Sequence, residues 1–257
     1  MTTEDKTQYD KFAAKYTSVV DLPYFQLEAE FVRLALDDCT GLTVLDLGGG
    51  SGIHARDAID AGAALVDVVD ISSEMLREGE AAETALGRSD RIRWFQADIT
   101  QPLVEQVTPH GPHYQHGYDI VMVNWTFNHA TSIQDLRAMW TNVSSSLKPG
   151  GRFLGVRVHS VDPAYISHGK YGIKFTDVEG IPDGVKYWVE ALTEPPVGFE
   201  GTAIRSTSVT DNIAGELGLV GLKLMNPEKT EVVQKDLDFW AEFIKDPFFV
   251  MVTASKA

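Results

Sequence analysis

Thr43-Val-Leu-Asp-Leu-Gly-Gly-Gly-Ser-Gly52 is a short apolar run stopped by three consecutive glycines. A run of this length, bounded by turn residues, predicts a strand buried on both faces. Glycines at a strand-to-helix turn let the backbone approach a ligand closely and adopt dihedrals that other residues resist. A nicotinamide dinucleotide loop of the form G-x-G-x-x-G would need glycine at position 53, where Ile53 stands; Gly52 comes one residue early. Asp46 sits two residues before Gly48. A carboxylate there repels a pyrophosphate and suits a cationic, ammonium-bearing ligand.

Outward from this loop, strand and helix alternate. Ser51 to Ala61 has helical spacing, and Leu65–Asp70 reads as a second strand. Ser73 to Leu86 is helical, Ile92–Gln96 a third strand and Tyr118–Val123 a fourth. A helix over 133–147 and a strand over 152–158 complete the run. The alternation predicts an α/β fold: a parallel sheet with helices on both faces, binding its ligand at the carboxyl ends of the strands. Residues 26–37 form an amphipathic helix ahead of the core. Residues 160–207 break the alternation, are rich in Tyr, Gly and Pro, and read as an insertion over the ligand-binding edge. A helix near 210–217, a strand near 220–225, a helix over 237–244 and a strand over 248–253 follow.

The 257 residues carry 22 Lys+Arg against 37 Asp+Glu, a formal net charge of −15. A surface this acidic repels phosphate backbones, and no basic run offsets it, so nucleic acid is not an expected partner. The single Cys39 cannot form an internal disulfide and reads as a packed thiol. No signal-like or membrane-spanning apolar stretch is present, so a cytoplasmic protein without membrane association is expected.

Two further acids follow the next two strands. Asp70 ends the second, where a carboxylate can accept from both hydroxyls of a ribose, and Asp98 follows the third, where it can take an exocyclic amine of adenine. Met75 and Ile99 are apolar enough to sandwich a purine. Three acids at three successive strand ends describe a ligand with an amine, a diol and a nucleobase, and no phosphate.

This constellation resembles the class I S-adenosylmethionine-dependent methyltransferases, over residues 43–158. The segments that carry it are Val44-Leu-Asp-Leu-Gly-Gly-Gly-Ser-Gly52, Val69-Asp-Ile-Ser-Ser-Glu-Met75, Gln96-Ala-Asp-Ile99, Tyr118-Asp-Ile-Val121 and Leu147-Lys-Pro-Gly-Gly-Arg-Phe153. Tyr9-Asp-Lys-Phe-Ala-Ala-Lys-Tyr16 is similar to the opening helix of small-molecule members. The resemblance implies a Rossmann-like, doubly wound, seven-stranded sheet with its last strand antiparallel. It implies one domain with a helical cap (1–40), a cofactor-binding core (41–158), a substrate-covering insertion (159–208) and a C-terminal end of the sheet (209–257). It also implies S-adenosylmethionine as cofactor and S-adenosylhomocysteine as product. Asp46, Gly48, Gly50 and Gly52 would line the cofactor, with Gly48 and Asn124 offering backbone carbonyls to the methionine amine. Asp70 would hold the ribose, Met75, Asp98 and Ile99 would meet the adenine, and Ile71 would also line the cofactor.

Transfer to a hydroxyl or ammonium requires loss of a proton, and histidine is the usual base near neutral pH. His129 follows the fourth strand and His159 the fifth, so both are candidate bases. His110, His113 and His116 lack an accompanying acid or Cys, and no metal site is expected. Tyr9 and Tyr16 share a helical face, from which Tyr16 could close over the sulfonium. Tyr165, His168, Tyr171, Phe175, Tyr187, Trp188 and Phe199 supply aromatic walls in the insertion, and Arg157, Lys170, Lys174 and Arg205 could bind an acidic group. The expected activity is methyl transfer to an oxygen or nitrogen of a small metabolite, including natural-product intermediates, by a monomer or homodimer. Two alternatives stand beside it. Asn124-Trp-Thr-Phe127 has the spacing of the Asn-Pro-Pro-Tyr motif of base methyltransferases without its prolines, and the same fold can serve as a cofactor-bound scaffold or cyclase.

Overall fold

The computed structural model describes residues 8–11, 13, 17–88, 90–107, 116–204 and 212–257. Residues 8–11 are helical, and α1 (Pro23–Leu36) begins with proline in its first turn, where a missing N–H costs nothing. The core then alternates β1 (Thr43–Leu47), α2 (Ile53–Asp60), β2 (Leu65–Asp70), α3 (Ser73–Ala85) and β3 (Ile92–Gln96). It continues with α4 (Leu103–Gln106), β4 (Tyr118–Met122), α5 (Ile133–Ser146) and β5 (Leu147–Val158). Strands β1 to β4 are mostly apolar on both faces because helices cover both. One core cluster includes Leu27, Phe31, Val44, Val66 and Met251; the other includes Leu45, Leu47, Val69, Trp140 and Phe153.

After β5 come β6 (Ile173–Ile181), β7 (Gly184–Ala191) and β8 (Val197–Ile204), then α6 (Ile213–Glu216), β9 (Leu219–Leu224), α7 (Glu231–Gln234), α8 (Leu237–Lys245) and β10 (Phe249–Lys256). The main sheet has seven strands in the order β3-β2-β1-β4-β5-β10-β9. Neighbours from β3 to β5 are parallel, and β10 runs antiparallel to both β5 and β9. The expected sheet, with its antiparallel last strand, is present. Because the first five strands are parallel, Gly48, Asp70 and Asn124 emerge from β1, β2 and β4 on the same edge.

The insertion is more regular than its composition suggests. β6, β7 and β8 form a separate antiparallel sheet, and β6 and β7 are joined by Pro182-Asp183. Tyr187, Val189 and Ala191 alternate inward along β7, and Ile173 and Phe175 do so along β6. That face joins the core cluster containing α1 and β10. Among the described residues, no helix is long and apolar enough to cross a membrane.

Candidate active site

Two adjoining cavities open at the carboxyl edge of the sheet. The first encloses about 690 Å³ including solvent at its mouth, and is bordered by Asp46, Gly48, Gly50, Asp70, Ile71, Met75 and Asn124, among others. The glycine loop shapes its floor. Gly50 has φ +54°, and a Cβ there would lie 2.9 Å from Met75 Cε, so glycine is needed both for the dihedral and for the space. Gly52 has φ +73° and caps α2, but its missing Cβ makes room for Trp94 at 2.6 Å. Gly52 thus acts by packing and does not border the cavity.

The acids divide in the same way. Asp46 is buried, and its Oδ2 has no hydrogen-bond partner among the described residues. Burial pushes its pKa up to about 7; attraction to His54 opposes the rise, and repulsion from Asp70 and Asp57 adds to it. Asp70 accepts from the Gly50 N–H at 2.9 Å and the Ser72 N–H at 2.8 Å. Burial raises its pKa, and these N–H donors work against the rise. Asp98 instead builds the turn after β3, accepting at Oδ1 from the Thr100 N–H and hydroxyl, both at 2.8 Å. Ile99 lies in the core cluster on the far side of the sheet, and its carbonyl accepts from Asn142. Neither Asp98 nor Ile99 borders the first cavity, whereas Met75 does.

The second cavity, about 480 Å³ including solvent at its mouth, lies between α1, the loop after β4 and the inner face of β6–β8. Tyr9, Phe25, Glu28, Trp125 and His129 border both cavities and form the partition between them. His129 is buried, and its Nε2 shares a hydrogen bond of 2.8 Å with the Tyr9 hydroxyl. His159 borders neither cavity: its N–H donates to the Phe248 carbonyl at 2.8 Å, and its Nδ1 is buried without a partner. Of the two candidate bases, the structure brings only His129 to the partition. Trp125 has φ +62°, a strained value for a bulky residue, of the kind held in place at functional sites.

The segment over the site is tied down by three successive residues. Gln8 Oε1 accepts from the Glu200 N–H of β8, Tyr9 meets His129, and Asp10 accepts from the Ser72 hydroxyl at 2.6 Å. Tyr16, His110, His113 and Arg205 lie outside the described residues. Lys170 pairs with Glu242, Lys174 approaches Glu190 at 3.9 Å, and Arg157 is buried with its guanidinium 4.9 Å from the Phe127 ring centroid. None of these cations borders either cavity. Of the aromatic residues expected to wall the site, Phe175, Tyr187 and Phe199 border the second cavity. Tyr165 and Tyr171 pack instead in the core, Tyr171 against Trp240, and Trp188 is exposed.

A trio of two buried residues and one half-buried residue escaped the sequence reading. His54 Nε2 bonds Glu28 Oε1 and its Nδ1 bonds Asp57 Oδ2, each at 3.1 Å. Burial works against charge on His54, but the hydrogen bonds to Asp57 and Glu28 prevail and lift its pKa to about 10. One signal was available: Glu28 lies in the apolar stripe of α1, four residues after Tyr24 and four before Val32.

Residues 44–151 match the family model described as "Methyltransferase domain". Two curated relatives match about half of the chain. The squalestatin tetraketide synthase of Cochliobolus lunatus is 30% identical over 148 residues, 54% of this chain and 5% of the relative. The ribosomal protein L11 methyltransferase of Burkholderia mallei is 35% identical over 133 residues, 51% of this chain. The chain spans 37% of the length of that relative. Among solved structures, an S-adenosylmethionine-dependent methyltransferase from Mesorhizobium loti superposes with a TM-score of 0.60 at 21% identity, covering 93% of this chain and 100% of the other.

Proposed function

We propose that this chain, whose residues 44–151 match the methyltransferase-domain family model, is a class I S-adenosylmethionine-dependent methyltransferase that moves a methyl group to an oxygen or nitrogen of a small metabolite, such as a natural-product intermediate. The observation that carries this proposal is the pair of adjoining cavities with Tyr9 and His129 in the partition. The first cavity suits the cofactor. The bare Asp46 Oδ2 would receive its ammonium together with the Gly48 and Asn124 carbonyls, Asp70 its ribose, and Ile71 and Met75 its purine. Bound there, S-adenosylmethionine supplies an electrophilic methyl carbon on a sulfonium.

The chain's own residues do the rest. The partition sets acceptor and methyl side by side, and positioning in a dry site is the main source of rate in such a displacement. The Tyr9 hydroxyl passes the acceptor's proton to His129 Nε2, with which it already shares a hydrogen bond. A small, aromatic-lined acceptor cavity and a net charge of −15 favour a small molecule over nucleic acid.

Calorimetry with S-adenosylhomocysteine tests the cofactor assignment: the wild type binds, and Asp70→Ala weakens binding at least tenfold. An S-adenosylhomocysteine release assay over a metabolite panel tests the activity. No binding to the wild type, or no release with any acceptor, overturns the proposal.

A further inference from the structure

Glu28 is the only charged residue among those buried in α1, and it borders both cavities. Its Oε1 is held by His54, whereas its Oε2 is buried with no hydrogen-bond partner among the described residues. A carboxylate oxygen left bare inside a protein is costly, and a charged donor is its strongest complement. Asp46 Oδ2 is bare in the same way, but Asp46 borders only the first cavity. Two unanswered carboxylate oxygens therefore stand before two guests, one at the glycine loop and one at the partition.

The second cavity narrows the identity of its guest. No Lys or Arg is among its described lining residues, so no permanently cationic side chain there answers an acid. Its walls are aromatic, with Phe25, Trp125, Phe175 and Phe199 among them. Rings of this kind favour a flat apolar body, and their faces attract a cation. The Tyr187 hydroxyl accepts from the Asn128 amide at 3.4 Å, and Glu28 is the one carboxylate among the described residues that line this cavity.

We propose that Glu28 anchors the acceptor, and that the second cavity takes a small aromatic molecule carrying a protonated amine, received by Glu28 Oε2 and enclosed by Phe25, Trp125 and Phe199. This rests on the methyltransferase assignment of the site and adds the class of molecule that the acceptor cavity selects. The nucleophilic atom of such a guest would lie toward Tyr9 and His129, with the ammonium at Glu28 as its handle.

Matched probes decide the matter by binding rather than turnover. Phenethylamine, 2-phenylethanol and phenylacetate share one skeleton, as do tryptamine, indole-3-ethanol and indole-3-acetate. Calorimetry on the protein saturated with S-adenosylhomocysteine should show an amine binding at least tenfold tighter than its alcohol, with the acid weakest. In Glu28→Gln the amine falls to the level of the alcohol, while S-adenosylhomocysteine binds within threefold of wild type. Amine and alcohol binding alike in both series overturns the proposal, as does an amine preference that survives in Glu28→Gln. A tenfold loss of S-adenosylhomocysteine affinity in Glu28→Gln also overturns it, by assigning Glu28 to the cofactor. Should Glu28→Gln not fold, the wild-type series decides. If the wild type binds no S-adenosylhomocysteine, the methyltransferase assignment falls, and the amine-to-alcohol comparison on the free protein still settles the role of Glu28.

Discussion

At Asp46 the needs of the site and of the fold conflict. Its folded-state pKa, about 7, lies above the ordinary carboxylate value. Between about pH 4 and pH 7 the unfolded chain has released a proton that the folded chain still holds, so stability falls as pH rises through this window, by about 4 kcal/mol in all. Asp46→Asn should remove that loss: the melting temperature of the ligand-free variant should exceed wild type at pH 8 and approach it at pH 4. S-adenosylhomocysteine should bind the same variant more weakly, as calorimetry would show. Asp46 was legible in the sequence because it stands in a loop whose spacing has few uses. Glu28 and His54 were not, since their roles depend on packing between α1 and α2, and no local spacing links residues 28 and 54. Tyr9 was legible as part of a helix face, but its contact with His129 spans 120 positions.

The strands show how one buried charge fixes an element. Asp67 on β2 is fully buried and sits beside Arg93 on β3 in the parallel register. The guanidinium donates to both carboxylate oxygens, at 2.6 and 2.5 Å, and the Tyr118 hydroxyl from β4 donates to Oδ2 at 2.5 Å. Arg93→Met leaves Asp67 uncompensated and should cost about 3–5 kcal/mol in denaturant unfolding. At the mouth of the site, Ser72 caps α3 by accepting from the Met75 N–H and also donates to Asp10. Ser72→Ala should cost about 1 kcal/mol of stability from the lost cap. It should also raise protease cleavage near residue 10, read as the cleavage rate at that segment relative to wild type. The β6–β7 hairpin was missed, although a signal for it was present. Pro182-Asp183-Gly184 is a turn signal with alternating apolar residues after it, yet the aromatic and glycine content of the segment obscured the period.

Over the whole molecule, the alternation of strand and helix from 43 to 158 dictated the parallel half of the sheet, because each strand needs covering on both faces. The placement of the last two strands depends on contacts far apart in sequence, such as Phe249 with Val158, and was available only through the family resemblance. The acidity acts at this scale as well: binding to a generic RNA at about 150 mM salt should be undetectable by filter retention. The clasp formed by Gln8, Tyr9 and Asp10 has a kinetic consequence. Tyr9, at its centre, borders both cavities, so under the proposed activity the clasp would have to loosen before the products leave. If that loosening paces turnover, kcat should fall as solvent viscosity rises. In the Gln8→Ala/Asp10→Ala double variant, whose latch is already loosened, that viscosity dependence should disappear.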